Sequence, residues 1–285
     1  MSLIRAALLA LLLGARWAAA AVEIVDDSGQ RVRLAQPPQR IVALAPHVTE
    51  LVHAVGAGDA LVGVDSASDF PATVKALPRI GDYSRIDVER VLALQPDLVI
   101  GWASGNRAAD IHRLRKLGIP VLLTDAHRLG DVARLLRVVG MATGQRQRAA
   151  TAAADFEAGL AALRARYRAA RPRRVFYEVW ERPLMTVGGR HWISDAMALC
   201  GGRNIFADLT APAPVVSIEA VLARAPDVIV AADDGPDIAA FWARFAALPA
   251  ARQRAFVRVD AAALNRPTPR LLDGAAALCA ALQSR

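Results

Sequence analysis

The sequence predicts an α/β protein built from two duplicated lobes, each a mostly parallel sheet with flanking helices, joined by one long α-helix. Three observations predict this fold class. The segment VERVLALQPDLVI at residues 88–100 recurs 130 positions later as IEAVLARAPDVIV at 218–230, with six identical positions. Strand and helix signals alternate along both halves of the chain. Between the two copies, residues 145–171 have no strand signal and carry apolar side chains at helical spacing.

The repeat predicts the same local structure twice. In each copy, apolar residues at helical spacing form a short helix, a Pro-Asp pair ends it, and a β-branched run forms a buried strand. The copies are too far apart for a solenoid, whose repeats are shorter. We therefore expect two similar lobes with a ligand in the cleft between them.

The remaining elements of the first half follow in chain order. Residues 22–34, VEIVDDSGQRVRL, alternate around an Asp-Ser-Gly turn and predict a β-hairpin. Strands and helices then alternate through RIVALAP, TELVHAVGA, LVGVD, the first repeat copy, IHRLRKLG and PVLLTD. Gly118 ends one of these helices and Pro120 begins the next strand, as expected of helix stop signals.

The segment between the two halves is predicted to be one long helix. Phe156, Leu160, Leu163 and Tyr167 recur at i, i+4, i+7 and i+11 and form one apolar stripe. The second half then opens with the strand RVFYEVW, continues through a helix around 193–199 and finishes on a helix at 270–282. The predicted organisation is a signal peptide at 1–20, an N-terminal lobe at 21–144, the linking helix at 145–171 and a C-terminal lobe at 172–285.

The N-terminus has the pattern of a secretory signal peptide. Arg5 supplies the positive charge, residues 6–14 form the apolar segment, and the alanines at 18–21 offer a cleavage site. The alternative is a membrane anchor, but Arg16 interrupts an apolar run that falls short of the ~20 residues needed to span a bilayer. We therefore expect an exported, soluble mature protein.

Composition excludes two other classes of protein. With 54% hydrophobic and 22% charged residues, the chain can bury a large core, which excludes general disorder. The formal net charge is +8, and all the basic residues except Lys75 and Lys116 are arginines. These arginines are scattered, with no basic run interleaved with aromatics, so no nucleic-acid partner is expected.

Export determines how the two cysteines are interpreted. An oxidising compartment favours a disulfide between Cys200 and Cys279. Closing that loop would stabilise the fold by about 4 to 5 kcal/mol in the chain-entropy model. The alternative is a pair of buried free thiols.

Signatures of catalysis are missing. The sequence has no P-loop, no G-x-G-x-x-G between a strand and a helix, and no G-x-S-x-G elbow. The histidines show no metal-ligand spacing, so no catalytic residue, metal site or cofactor is expected. His47, at the start of a helix directly after the strand RIVALAP, is a candidate for facing the cleft. A two-lobed α/β enzyme is the competing class, and it predicts a cluster of titrating groups there.

Aromatic residues stand where predicted strands end. Trp102 follows DLVIG, Phe70 follows LVGVDSASD, and Tyr83 lies in the loop before the first repeat helix; in the second lobe Trp180 ends VFYEV and Met185 follows closely. In α/β sheets, ligands bind beyond the carboxyl ends of strands. The alternative for any one of these residues is ordinary packing. Together they predict an apolar, π-rich cleft for a large, flat, partly apolar ligand.

Glu89 and Glu219 begin the two repeat helices. One explanation is local, since a carboxylate stabilises the positive end of a helix dipole. The other is a matched pair of exposed anions that docks onto a symmetric basic partner.

Several of these segments together resemble the periplasmic substrate-binding proteins of cobalamin, haem and siderophore import systems, in which two α/β lobes flank a rigid helix. The resemblance covers nearly all of the mature chain. It rests on RIVALAPHVTELVHAVGAGDALVGV, SDFP, DVERVLALQPDLVIGW, LCGGRNIF and VVSIEAVLARAPDVIV. It implies a non-enzymatic, monomeric receptor in the periplasm that delivers its ligand to the permease dimer of an ABC transporter.

Within that family the chain looks most like the cobalamin-binding branch. The resemblance implies that Phe70, Tyr83, Trp102, Trp180 and Met185 pack on the ligand. It further implies a polar ligand contact by Arg266 in NRPTPR, a disulfide between the two cysteines, and permease docking by the two repeat glutamates. Cobalamin is then the ligand, and the protein carries no cofactor of its own.

The chain also departs from that branch. Ala213 and Tyr83 stand where the branch has tryptophans, and Met185 stands for a phenylalanine. Haem binders of the family often place a tyrosine ligand near Tyr83 in a Gly-Tyr context, but here Asp82 intervenes. The alternative ligands are therefore haem and ferric siderophores.

Overall fold

Two parallel four-stranded sheets lie at the centres of the two lobes in the computed structural model, which describes residues 21–168, 172–231 and 237–284. The predicted signal peptide lies outside these ranges. The elements of the N-terminal lobe are β1 (Val22–Val25), β2 (Arg31–Leu34), β3 (Ile41–Ala43), α1 (Pro46–Ala54), β4 (Leu61–Val64), β5 (Gly81–Asp82), β6 (Arg85–Ile86), α2 (Val88–Ala93), β7 (Leu98–Trp102), α3 (Ala108–Lys116), β8 (Val121–Thr124) and α4 (Asp131–Ala142).

The long helix α5 (Arg146–Arg166) follows, and the chain then enters the C-terminal lobe. The described elements there are β9 (Arg173–Glu178), α6 (Trp192–Leu199), β10 (Gly202–Asn204), α7 (Ile218–Arg224), β11 (Val228–Ala231), α8 (Ile238–Trp242), α9 (Pro249–Arg252), β12 (Phe256–Arg258), α10 (Ala261–Leu264) and α11 (Leu271–Gln283).

The two sheets have equivalent topologies. Their strand orders are β4-β3-β7-β8 and β10-β9-β11-β12, and all neighbouring strands are parallel. The repeat strands β7 and β11 occupy the same third position, and both are buried along nearly their whole length. Helices cover the sheets because strands of continuous apolar sequence must be buried on both faces. The predicted duplication and fold class are confirmed.

The repeat is held in place by the same contacts in both lobes. Each repeat helix is followed by a residue in the left-handed region directly before the proline, Gln95 with φ 48° and Ala225 with φ 44°. Asp97 then accepts hydrogen bonds from two backbone N–H groups just before β3, at 2.8 and 3.0 Å. Asp227 accepts the equivalent bond from the N–H of Arg174 in β9, at 2.8 Å. The recurring Pro-Asp pair therefore ends the helix and ties its loop to the neighbouring strand.

The helix predicted over 145–171 spans Arg146–Arg166, and residues 169–171 lie outside the described ranges. Phe156, Leu160 and Tyr167 of the predicted stripe are buried, and they belong to one apolar cluster that contains core residues of both lobes. At Gly159 an added Cβ would lie 2.6 Å from Leu272, so the C-terminal helix α11 packs closely on this helix. The two lobes share a core through α5.

The remaining predicted elements are also present. Residues 22–34 form the β1–β2 hairpin, with Val22 opposite Leu34 and Val25 opposite Arg31. Cys200, at the end of α6, and Cys279, within α11, form the expected disulfide with an S–S distance of 2.01 Å. Among the described residues, no helix has both the length and the apolar character needed to cross a membrane.

Candidate functional site

The carboxyl ends of the first sheet bring an imidazole, an indole and two carboxylates to one edge. His47 follows β3, Asp65 follows β4, Trp102 is the last residue of β7, and Asp125 follows β8. Strands that run parallel end at the same edge of their sheet, which is where ligands bind in such folds. The indole Nε1 of Trp102 donates to Asp125 Oδ1 at 3.2 Å, so a carboxylate fixes the orientation of this ring.

The loop after β4 and the β5–β6 hairpin carry the two exposed aromatics of this lobe. Phe70 is 45% exposed, and Tyr83, at the hairpin turn, is 60% exposed. The backbone N–H and the hydroxyl of Ser66 both donate to the carbonyl of Gly81, at 2.8 and 2.7 Å. These bonds hold the hairpin against the loop, so the two exposed rings belong to one surface.

A cluster of charged and polar side chains joins the two lobes beside this loop. Arg266, from the C-terminal lobe, donates to Glu50 at 2.9 Å and to Asp69 at 2.5 Å. Thr268 donates to the second oxygen of Glu50 at 2.9 Å, and Arg270 donates to the first at 3.2 Å. The Glu50 side chain is only 2% exposed, so its charge is neutralised by two guanidinium groups and a hydroxyl. We call these five residues the Glu50 cluster.

The contacts within the cluster shift the pKa values of Arg266 and Asp69. Burial opposes the charge on Arg266, but the hydrogen bonds that Arg266 donates to Asp69 and Glu50 outweigh it and raise the pKa of Arg266. Burial likewise works to raise the pKa of Asp69, yet its bond to Arg266 keeps that pKa below its ordinary value. Both groups are therefore charged at neutral pH, and the ion pair persists.

Arg266 therefore lies where the two lobes meet, and it already donates hydrogen bonds to protein acceptors, including the carbonyl of Ala67 at 3.2 Å. Its neighbour Arg270 lies over the ring of Phe70, 4.3 Å from the centroid. One face of that ring is thus covered by a cation from the opposite lobe. Any ligand that approaches Phe70 meets this guanidinium as well.

The C-terminal lobe contributes a second exposed apolar wall. The strand predicted to end at Trp180 instead ends at Glu178, because the chain reverses and Trp180 pairs with Met185 in an antiparallel bridge. Met185 pairs in turn with Val215. Trp180 is 57% exposed and Val215 is 63% exposed. The structure therefore brings Trp180 and Met185 together in the reversal of the chain that follows β9.

The pKa values of Asp65 and His47 are displaced from their ordinary values. Burial, helped by the nearby charge of Asp82, raises the pKa of Asp65 to about 6. Its Oδ2 is the one fully buried side-chain nitrogen or oxygen in the described ranges that lacks a hydrogen-bond partner. Burial, together with the charge of Arg266, lowers the pKa of His47 to about 3. Both effects follow from the cost of a charge in a poorly solvated place.

Both repeat helices carry a glutamate on an exposed first turn, and Glu89 also lies 3.6 Å from the guanidinium of Arg113. Asp87 caps α2 by accepting from the N–H of Arg90, and Ser217 caps α7 by accepting from the N–H of Ala220. Glu89 and Glu219 are both exposed on the first turns of these helices. The capping residues share a geometry although their chemistry differs.

Sequence reasoning did not find Glu50, Asp69, Thr268 or Arg270. One signal was available, because Glu50 interrupts the apolar face of a helix whose neighbours Val48, Leu51 and Val52 are buried. A charged residue on such a face is rare unless it is paired. Its partners lie more than 200 positions away in the chain, so no local pattern identifies them.

Comparison with known proteins agrees with this architecture. The family model described as periplasmic binding protein matches residues 41–262. A vitamin B12-binding protein of Vibrio parahaemolyticus is 36% identical over 250 residues, covering 87% of this chain and 91% of that protein.

Solved structures give the same result. The periplasmic vitamin B12 binding protein BtuF of Vibrio cholerae superposes with a TM-score of 0.81 at 37% identity, covering 87% of this chain and 98% of that one. The periplasmic heme-binding protein RhuT of Roseiflexus sp. RS-1 follows with a TM-score of 0.78 at 30% identity, covering 86% and 98%. The resemblance found in the sequence is confirmed. The chain belongs to the periplasmic binding protein family, whose members matched here are binding proteins and not enzymes.

Proposed function

We propose that this protein is an exported, monomeric receptor that captures cobalamin in the cleft between its lobes and delivers it to the permease of an ABC importer. Relatives named vitamin B12-binding protein, similar over most of both chains, support the choice of ligand. The signal-peptide pattern at 1–20 supports export to the periplasm.

The observation that carries the proposal is the set of exposed rings contributed by both lobes. Phe70 and Tyr83 on one lobe and Trp180 on the other are each more than two-fifths exposed. Large aromatic side chains are usually buried, and such exposure marks a surface that binds something. A corrin ring is broad, nearly flat and apolar on its faces, which suits these walls.

Each predicted ligand residue then has a distinct role. Phe70, Tyr83 and Trp102 would pack on the ligand from the N-terminal lobe, and Trp180 and Met185 from the C-terminal lobe. Arg266 would bond to the polar periphery with the donor hydrogens that the Glu50 cluster leaves over.

Calorimetric titration with cyanocobalamin tests the proposal. We expect saturable 1:1 binding, and Trp180→Ala should weaken it about tenfold because an aromatic contact of about 1.4 kcal/mol is lost. Leu117→Ala is the control, since Leu117 is also exposed but lies at the end of α3. No binding of cyanocobalamin by the wild-type protein would reject the proposed ligand.

Haem is the second candidate, and one specific observation favours it. The phenol of Tyr83 is exposed at a hairpin turn, and RhuT, at 30% identity, is a heme-binding protein. Titration with haemin separates the two ligands. Tight binding with a shifted Soret band that Tyr83→Phe abolishes, together with no cobalamin binding, would replace cobalamin by haem.

The docking role assigned to Glu89 and Glu219 is tested separately. Glu89→Ala with Glu219→Ala should leave the cyanocobalamin affinity unchanged and impair uptake in cells that depend on this receptor, because two exposed anions are lost from the permease-facing surface. Glu157→Ala, which removes an exposed carboxylate from the linking helix, is the matched control. Normal uptake by the double variant would show that the glutamates do not dock.

A further inference from the structure

His47 lies at the boundary of the two lobes. It occupies the first turn of α1, and its ring meets that of Trp102 edge to face, with centroids 5.4 Å apart and planes at 88°. From the other lobe, the charge of Arg266 reaches it strongly enough to influence its pKa. The imidazole is thus flanked by two residues already assigned to the ligand, one from each lobe.

The ring of His47 is unusual in its hydrogen bonding. The residue is only 6% exposed, yet neither ring nitrogen bonds to any group in residues 21–168, 172–231 or 237–284. Nor does either nitrogen count among the fully buried atoms that lack a partner. Both nitrogens therefore keep some contact with solvent. A polar group in that position costs free energy unless something bonds to it.

The charge state of His47 defines what would bond to it. Burial and Arg266 keep the ring neutral at physiological pH. A neutral imidazole offers one N–H donor and one acceptor nitrogen. A primary carboxamide offers the matching acceptor and donor, and the edge of a corrin ring is lined with carboxamide side chains.

Coordination of the ligand's metal is the other chemistry open to a neutral imidazole. Ligating histidines almost always donate their second N–H to a carboxylate or carbonyl, which fixes the ring. His47 has no such partner in the described part of the chain. The absence of this support favours a hydrogen bond to the edge of the ligand over an axial bond to its metal.

We propose that His47 is a specificity-determining residue that hydrogen-bonds a peripheral carboxamide of the bound corrinoid. The inference rests on the proposed function and adds a polar contact from the N-terminal lobe, opposite Arg266. Because the hydrogen bond is made to the edge of the ligand, it discriminates a corrin ring with carboxamide side chains from one with carboxylate side chains. A carboxylate can accept from the N–H of a neutral imidazole but cannot donate to its other nitrogen, so only an amidated edge can bond to both nitrogens.

The test compares His47→Phe with His47→Gln by calorimetric titration of cyanocobalamin. Phenylalanine keeps the packing on Trp102 but removes both nitrogens, and we expect its Kd to rise about tenfold. Glutamine retains a donor and an acceptor, and we expect its Kd to stay within about threefold of wild type. His112→Phe, an exposed position on α3, is the control. Thermal unfolding verifies that each variant is folded, and His47→Ala replaces His47→Phe if the latter is not.

The outcomes separate this inference from the function on which it rests. If wild type binds cyanocobalamin and the His47 variants bind equally well, the inference is wrong and the function stands. If wild type binds no corrinoid, both are wrong. A change in the axial-ligand bands of aquocobalamin on binding to wild type but not to His47→Phe would replace the hydrogen bond by metal coordination.

Discussion

At the residue scale, the surroundings of a side chain at a strand end shift its pKa away from the ordinary value of its residue type. Burial raises the pKa of Asp65 from the ordinary value of 3.8 to about 6, although the hydrogen bond from the N–H of Ala67 acts to lower it. Its second oxygen has no hydrogen-bond partner in the part of the chain that the structure describes. Ionisation of Asp65 therefore costs free energy in the folded state.

This cost predicts a pH-dependent effect of Asp65→Asn. Between about pH 4 and pH 6 the folded state holds more protons on Asp65 than the unfolded state, so its contribution to stability falls as pH rises through that window. At pH 7, removing the charge should raise the free energy of unfolding by about 1 kcal/mol, allowing for solvent screening. Urea denaturation at pH 4 should show no gain. An equal gain at both pH values would mean that ionisation is not the cause.

The candidate site was only partly predictable at this scale. Trp102, Phe70 and Tyr83 could be proposed as ligand residues because strand ends can be located from local pattern, and their contact with a ligand stays a prediction. The orientation of the Trp102 ring could not be predicted, because it depends on Asp125, which follows a different strand. Trp180 was placed on a strand that ends two residues earlier, since β-propensity continues into a turn that pairs with Met185.

At the element scale, the repeat shows why a short motif recurs. The motif connects a covering helix to a central strand. The helix is followed by a residue in the left-handed region, a proline and an aspartate. The aspartate bonds to the backbone of the neighbouring strand in both lobes. The motif therefore joins two elements that are separate in the chain.

This role predicts the effect of removing the repeat aspartates. Asp97→Ala loses two bonds to backbone N–H groups, and Asp227→Ala loses one such bond and an ion pair with Arg174. Each should lower the free energy of unfolding by about 1 to 2 kcal/mol in urea denaturation. Asp155→Ala, at an exposed position of α5, should change it by less than about 0.5 kcal/mol. Equal effects at all three positions would argue against the motif.

At the scale of the whole molecule, the lobes are connected by a shared apolar core and by the Glu50 cluster. The core runs through α5, while the cluster joins α1 of one lobe to the segment before α11 of the other. Two connections of different chemistry restrict how far the lobes separate. A ligand that binds between them must be accommodated without breaking the buried pair.

The cluster predicts an unequal response to removing its two acids. Glu50→Ala leaves Arg266 and Arg270 without their buried partner and should lower the free energy of unfolding by about 2 to 4 kcal/mol. Asp69→Ala, which removes a half-exposed partner of the same Arg266, should cost less than about 1 kcal/mol. Chemical denaturation measures both. An equal loss of unfolding free energy in the two variants would show that the burial of Glu50 does not determine how much the cluster stabilises the fold.

The sequence by itself determined the fold class, the duplication, the long helix and the strand-end aromatics, because each depends on periodicity or identity over a few neighbouring residues. The disulfide also followed, since two cysteines allow one pairing. Tertiary structure alone decided the Glu50 cluster, the partner of Trp102 and the position of His47 between the lobes. These contacts join side chains up to 220 positions apart. They form only when elements that are distant in the chain pack together, within one lobe for Trp102 and Asp125 and between the lobes for the Glu50 cluster, so no local pattern encodes them.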